Sequence, residues 1–328
     1  MFSEENTSMI LTNFKPEFFC YLEIQKYGGI IKQMNMKKAY IITGPTASGK
    51  SSFAHELAKR VNGVIINCDS VQMYRGIENI SASPFANHTI TDVIDGVPYK
   101  LFSFLPLSKQ ISVAEYIKIA RQEYDAAIAK NHVPIFVGGT GYYINGITNG
   151  IAEIPEISVQ NRNRAREMVA NDLNAAHQLV PNCLATDPQR IARALEVFLE
   201  TGRHLVDWQK EQRAGAILPT PFKILINPPL EVLHERIALR VPDMISGGAL
   251  DEAEYIIKNN FDARRAIGAE QLCAFLRGEV NCEDAIKNWI TKTNQYAKRQ
   301  RTWFKTQFFA DLVINHIPNT DDIDLVLN

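Results

Sequence analysis

The 328-residue chain has little cysteine chemistry to offer. Its five cysteines, Cys20, Cys68, Cys183, Cys273 and Cys282, are scattered, with no C-x-x-C pair and no histidine at zinc-ligand spacing. That argues against a disulfide framework and a structural zinc site, and points to a reducing, cytoplasmic setting. Uninterrupted apolar runs of membrane-spanning length are missing, as is the basic-then-apolar layout of a secretory signal. Net charge is almost absent, −1 at neutral pH, so nucleic-acid binding has to be sought in segments rather than in the total. Repeats and low-complexity tracts are absent too. What remains is a globular chain, long enough for one large domain or two ordinary ones.

What is present is organised around Gly44-Pro45-Thr46-Ala47-Ser48-Gly49-Lys50-Ser51, which fits G-x-x-x-x-G-K-[ST]. In such a loop the backbone N–H groups wrap a polyphosphate, the lysine neutralises its charge, and the Ser51 hydroxyl holds Mg²⁺. The flanks agree. Ala39 to Thr43 is an apolar, β-branched run of strand length, and Phe53, Leu57, Ala58 and Val61 recur at helical spacing. Strand, glycine loop and helix in that order bring small residues and a helix N-terminus to the phosphates.

Gly63 to Cys68 reads as a second buried strand ending on Asp69-Ser70. In a parallel sheet the carboxyl ends of the strands share one crevice, so Asp69 faces whatever lies beyond the phosphate, or else caps a helix begun at Ser70. Lys100 to Phe104 suggests another strand, and Ser112 to Asn131 a helix with Ser112 and Glu115 as capping box. Val133 to Val137 is a short buried strand running into Gly138-Gly139-Thr140-Gly141 and a helix near Tyr142. An acidic residue often helps hold Mg²⁺ on the corresponding strand of phosphate-loop ATPases. Two glycines stand there instead, which reads either as room for close approach of a substrate or as a plain tight turn.

Beyond Pro155 the composition changes. Val159 to Leu179 reads as one helix carrying Arg162, Arg164 and Arg166, and Asp187-Pro188 starts another in which Arg190 and Arg193 share a face. Phe222 to Ile226 returns as a buried strand, so residues 159–221 form an excursion from the main sheet. The C-terminal third is helical, at Leu230 to Met244, Leu250 to Asn259, Glu270 to Arg277 and Glu283 to Phe309. In the last, cations interleave with Trp289, Tyr296, Trp303, Phe304 and Phe308 and no acid occurs between Ala285 and Ala310, which suits either RNA contact or packing of the rings against the body.

Five motifs in order resemble the tRNA dimethylallyltransferase (tRNA isopentenyltransferase) family: the phosphate loop, Asp69-Ser70 with Tyr74-Arg75-Gly76, Val137 to Tyr143, Asp187 to Val197, and Tyr296 to Phe304. The similarity spans Lys38 to about Phe309. It implies an α/β fold with a P-loop NTPase-like parallel sheet flanked by helices, a small helical insertion and a helical C-terminal part. The core would be residues 36–158 and 222–328, with 159–221 as the tRNA-contacting insertion; because phosphate-loop domains usually begin within a few residues of the loop's strand, residues 1–35 read as an optional or disordered leader before a natural start at Met36. The activity implied is transfer of a dimethylallyl group from its diphosphate to N6 of the adenosine 3′ of a tRNA anticodon, with Mg²⁺ present and pyrophosphate released; nothing in the chain requires more than a monomer. The resemblance makes Asp69 the base, with Thr140 and Lys50 assisting, and assigns tRNA contacts to Asp69, Ser70, Val71, Gln72, Thr140, Arg162, Gln189, Arg190 and Arg193. The arm between Arg162 and Asp187 is shorter than usual for the family, and Tyr99, Ala269 and Asn294 stand where His, Tyr and Arg are common. A small-molecule kinase using ATP and a non-catalytic RNA-binding protein are the rival readings.

Overall fold

Four consecutive buried residues, Tyr40–Thr43, form β1, the strand that enters the phosphate loop. In the computed structural model, which describes residues 39–86, 92–211, 213–218 and 220–327, this strand is flanked on both sides. It pairs in parallel with β7 (Val133–Gly138) on one side and β10 (Phe222–Ile226) on the other. β2 (Gly63–Asn67) lies outside β7, and β5 (Val97–Lys100) outside β2. β11 (Leu312–Ile314) closes the far side beyond β10, and the short β4 (Val93–Ile94) pairs antiparallel at the other edge. The expected leader, residues 1–35, lies outside the described residues.

Strand side chains alternate between two faces, and each face has its own core. Ile41, Ile66 and Phe136 point to one, with α2 (Val113–Ala129), α3 (Gly141–Asn149) and the C-terminal helices; Tyr40, Ile42, Ile65, Ile135 and Val137 point to the other, with α1 (Lys50–Val61). Burial on both faces explains why these strands read as continuous apolar runs. The expected capping box is present, Ser112 accepting from the Glu115 amide and Glu115 from that of Ser112.

Two expected elements differ. The strand placed at Lys100 to Phe104 ends at Lys100, because Leu101 and Ser103 adopt left-handed backbone, φ 66° and 45°, and a strand does not continue through such residues. The single helix expected from Val159 to Leu179 is two, α4 (Val159–Asn171) and α5 (Leu173–Gln178). Asp172 divides them: its side chain accepts from the amides of Asn174 and Ala175, offering the backbone a cap in place of a continued helix. Asp187 likewise caps α6 (Pro188–Thr201), and the left-handed Gly202 ends it. α4, α5 and α6 enclose a small core of their own around Ala165, Ala176, Ile191 and Leu195. Its two connections to the body pair as an antiparallel ribbon, β8 (Ile151–Ala152) against β9 (Arg213–Ala214).

After β10 come α8 (Leu230–Met244), α9 (Leu250–Lys258), α10 (Ala269–Leu276) and α11 (Cys282–Gln307). In α11 the rings of Trp289 and Phe304, and Phe308 just beyond it, are buried in the core, so these aromatics pack the body. No described helix is long and apolar enough to cross a membrane.

Candidate active site

The phosphate loop is shaped by close contacts. A side chain at Gly44 would lie 2.2 Å from the Ile226 carbonyl, and Gly49 takes the left-handed φ of 90° that starts α1. No side chain caps α1, which leaves its first-turn amides and partial positive charge directed at the loop's concavity. Lys50 folds over the loop, its amine donating to the Pro45 carbonyl at 3.2 Å. The Ser48 hydroxyl is buried and finds no partner among the described residues.

Two cations that sequence reading missed reach the loop from α8. Arg236 Nε donates to the Ala47 carbonyl and Arg240 Nη2 to the Thr46 hydroxyl, each at 2.8 Å. They are four apart on one helix face, the only sequence signal that marks them. Burial pulls the Lys50 amine down to about 8, with Asp69 opposing the shift and Arg240 adding to it. The Arg240 guanidinium is pulled down to about 10 by burial and by Arg236, against Asp69. Three crowded cations, one carboxylate and a set of open amides make a strong anion site.

Asp69 sits across the same cavity, which encloses about 530 Å³. Thr46, Ala47, Gly49, Lys50 and Ser51 line one side, with Arg236 and Arg240, and Asp69, Ser70, Val71 and Gln72 line another. Tyr296 and Arg299 of α11 join the wall, with Arg264 and Arg265. Asp69 starts no helix. Its Oδ1 accepts from the Val71 amide at 2.9 Å in a tight turn, and buried Asn67 holds its peptide at both ends, accepting from the Asp69 N–H and donating to its carbonyl. Behind it, burial pushes the Cys68 thiol up to about 12, so that cysteine is no nucleophile.

Thr140 does not line the cavity. Its hydroxyl accepts from the Ser70 amide at 2.9 Å and donates to the Ser70 hydroxyl at 3.2 Å, so it acts on the site through Ser70. Gln72, on the cavity wall, donates its side-chain amide to the carbonyls of Ser81 and Ala82, which line the same cavity. The paired glycines accommodate the protein itself rather than a substrate: a side chain at Gly138 would lie 2.2 Å from the Cys68 backbone, and one at Gly139 2.2 Å from the Gln300 amide nitrogen. Their backbone approach leaves no room for an acidic residue. Among the described residues no group of three or more His, Cys, Asp or Glu side chains is placed to hold a metal ion.

The remaining candidates lie on the insertion, outside this cavity. Arg162 is on α4, and Gln189, Arg190 and Arg193 are on α6. Gln189 and Arg190 are exposed. Arg193 pairs with the buried carboxylate of Glu196 at 3.0 Å, with Arg166 at 3.9 Å from the same group.

Comparison with known proteins bears on this arrangement. The IPP transferase family model matches residues 72–307, and the isopentenyl transferase model matches residues 37–91. The tRNA dimethylallyltransferase of Rickettsia felis is 34% identical over 309 residues, covering 90% of this chain and 98% of that protein. That of Rhodospirillum rubrum is 36% identical over 293 residues, 84% of this chain and 87% of the relative. Among solved structures, the tRNA isopentenylpyrophosphate transferase of Bacillus halodurans aligns with TM-score 0.63 and 27% identity, over 88% of this chain and 94% of that one. A eukaryotic dimethylallyltransferase acting on tRNA aligns with TM-score 0.68 and 26% identity, over 81% and 69%. With motifs, fold and relatives in agreement across most of its length, the chain belongs to the tRNA dimethylallyltransferase family.

Proposed function

We propose that the protein transfers a dimethylallyl group from dimethylallyl diphosphate to N6 of the adenosine 3′-adjacent to the anticodon of tRNA, releasing pyrophosphate. The observation that carries this reading is the single cavity in which an anion-binding loop, reinforced by Arg236 and Arg240, faces the Asp69 carboxylate. The diphosphate binds the loop amides, Lys50 and the two arginines. As the N6 lone pair forms the new N–C bond, the allylic C–O bond breaks and its electron pair goes to the leaving diphosphate. The cations stabilise the charge that develops there. The N6 proton passes to Asp69, since the amine lone pair is delocalised into the ring and attack is helped by a base. Thr140 keeps Ser70, and with it the Asp69 turn, in place. An adenine reaches this cavity only by leaving its stack.

The Ser51 hydroxyl lines the cavity, and Mg²⁺ usually keeps several waters and binds through few protein oxygens plus substrate phosphates, so this donor fits that ion. When bound, Mg²⁺ would neutralise diphosphate charge. Arg162, Gln189, Arg190 and Arg193 supply the tRNA contacts outside the cavity, on phosphates and loop bases, which gives a near-neutral protein a basic docking face. The chain works as a monomer in this reading.

The test is incubation of the protein with unmodified tRNA, Mg²⁺ and either dimethylallyl diphosphate or ATP, followed by nucleoside analysis of the digested RNA. Prenylated adenosine formed only with the diphosphate is the expected result. A phosphorylated product from ATP, or no modified nucleoside, refutes the reading.

A further inference from the structure

Gln300 of α11 is buried, 5% exposed, although it is a polar residue in the middle of a basic helix. Its carboxamide bridges the two halves of the site. Oε1 accepts from the Thr46 amide of the phosphate loop at 2.8 Å, and Nε2 donates to the Gly139 carbonyl at 3.0 Å. The two partners fix the orientation of the amide, since an N–H needs an acceptor and a carbonyl needs a donor. Gly139 is followed by Thr140, whose hydroxyl holds Ser70 next to Asp69. Thr46 is held in addition by Arg240 through its own hydroxyl. The Thr46 amide is thus committed to Gln300 and not to a phosphate.

We infer that Gln300 is a positioning residue that sets the spacing between the diphosphate loop and the turn carrying the base. This inference rests on the prenyl-transfer reading and deepens it. In-line attack requires the donor carbon and the adenine amine to be held together, and the two are bound by opposite sides of the cavity. A small misplacement of reacting groups is costly in rate. The absence of a side chain at Gly139 belongs to the same device, because only glycine leaves space for the amide.

Two variants test this. Gln300→Met keeps the shape and removes both hydrogen bonds; its kcat should fall about 10- to 100-fold while KM for tRNA stays near the wild-type value. Gln300→Glu keeps the acceptor for Thr46, but as a carboxylate it sets an acceptor against the Gly139 carbonyl. That buried carboxylate takes up a proton more readily than an exposed one, and the resulting acid donates to Gly139 again. The ratio of Gln300→Glu to wild-type kcat should therefore climb as pH falls from about 8 to about 6, which a purely structural role does not predict. Melting curves establish that each variant is folded, and Gln300→Glu carries the test if Gln300→Met is not. Wild-type kcat in folded Gln300→Met, or a flat ratio across pH, overturns the inference while the activity stands. An inactive wild-type enzyme removes the functional reading and this inference with it.

Discussion

Asp69 is held by three hydrogen bonds with two neighbours, Val71 and Asn67, and kept at the cavity wall. An asparagine at this position retains an oxygen for the Val71 amide but accepts no proton. Asp69→Asn should lower single-turnover prenylation by about 10²- to 10⁴-fold, the usual contribution of a general base, with tRNA affinity in filter binding unchanged. Activity like that of the wild type removes Asp69 as the base. Lys50 makes a second prediction. Its amine titrates at about 8, and the diphosphate binds the protonated form. Below that pH the lysine is charged and binding gains its full attraction; above it, affinity falls by up to about tenfold per pH unit. Lys50→Arg stays charged throughout, so the wild-type to variant ratio of pyrophosphate affinity, by calorimetry, cancels the ionisation of the ligand. That ratio should decline above about pH 8. A ratio independent of pH would falsify the assignment. Lys50 and Asp69 were legible because one sits in a loop motif and the other at a strand end. Arg236 and Arg240 were not, since two arginines on a helix look like a solvated face until the helix is docked on the loop.

At the scale of elements, α3 and α11 meet where a side chain at Gly141 would lie 2.6 Å from the Trp303 ring. Gly141→Ala has to displace that indole, and overpacking of this kind costs typically about 1–3 kcal/mol. Chemical denaturation should report a loss of that size, and an unchanged midpoint would mean the two helices separate freely. On α6, Arg190 is exposed whereas Arg193 is tied to Glu196. Arg190→Ala should weaken tRNA binding and reduce the salt slope by about one, with stability unchanged. Arg193→Ala should lower stability as well, because Glu196 loses the nearer of its two cations. Equal melting temperatures for the two variants would contradict this. Helix starts such as Ser112 and Asp187 could be read from the chain because a cap acts within one turn. The break at Asp172 could not, because an aspartate in a polar helix is as compatible with continuation as with the cap it forms here.

For the whole molecule, the insertion has its own core and joins the body through paired strands. Replacing residues 153–212 by a short turn should leave a folded protein that binds pyrophosphate and has lost most of its tRNA affinity. Retained tRNA affinity would move RNA recognition to the cavity rim and α11. The near-zero total charge is compatible with such a division of labour, because association is governed by the local field of the docking face.

The order of strand, loop and helix, the buried strands at residues 63–67 and 222–226, the helix caps and the α/β class follow from the chain alone. They depend on residues within a turn or on a period of two or 3.6, so local interactions set them. The sequence motifs also supply the family and the identity of the phosphate loop. Tertiary structure alone decided which cations guard the loop, that the Gly138-Gly139 pair receives the chain's own backbone and Gln300, and that Trp289 and Phe304 of α11 are core. Gln300 and Thr46 are 254 residues apart. Contacts across such distances leave no periodic trace, because each partner's local surroundings would be the same without the other, and only the packing of α8 and α11 on the sheet brings them to hydrogen-bonding distance.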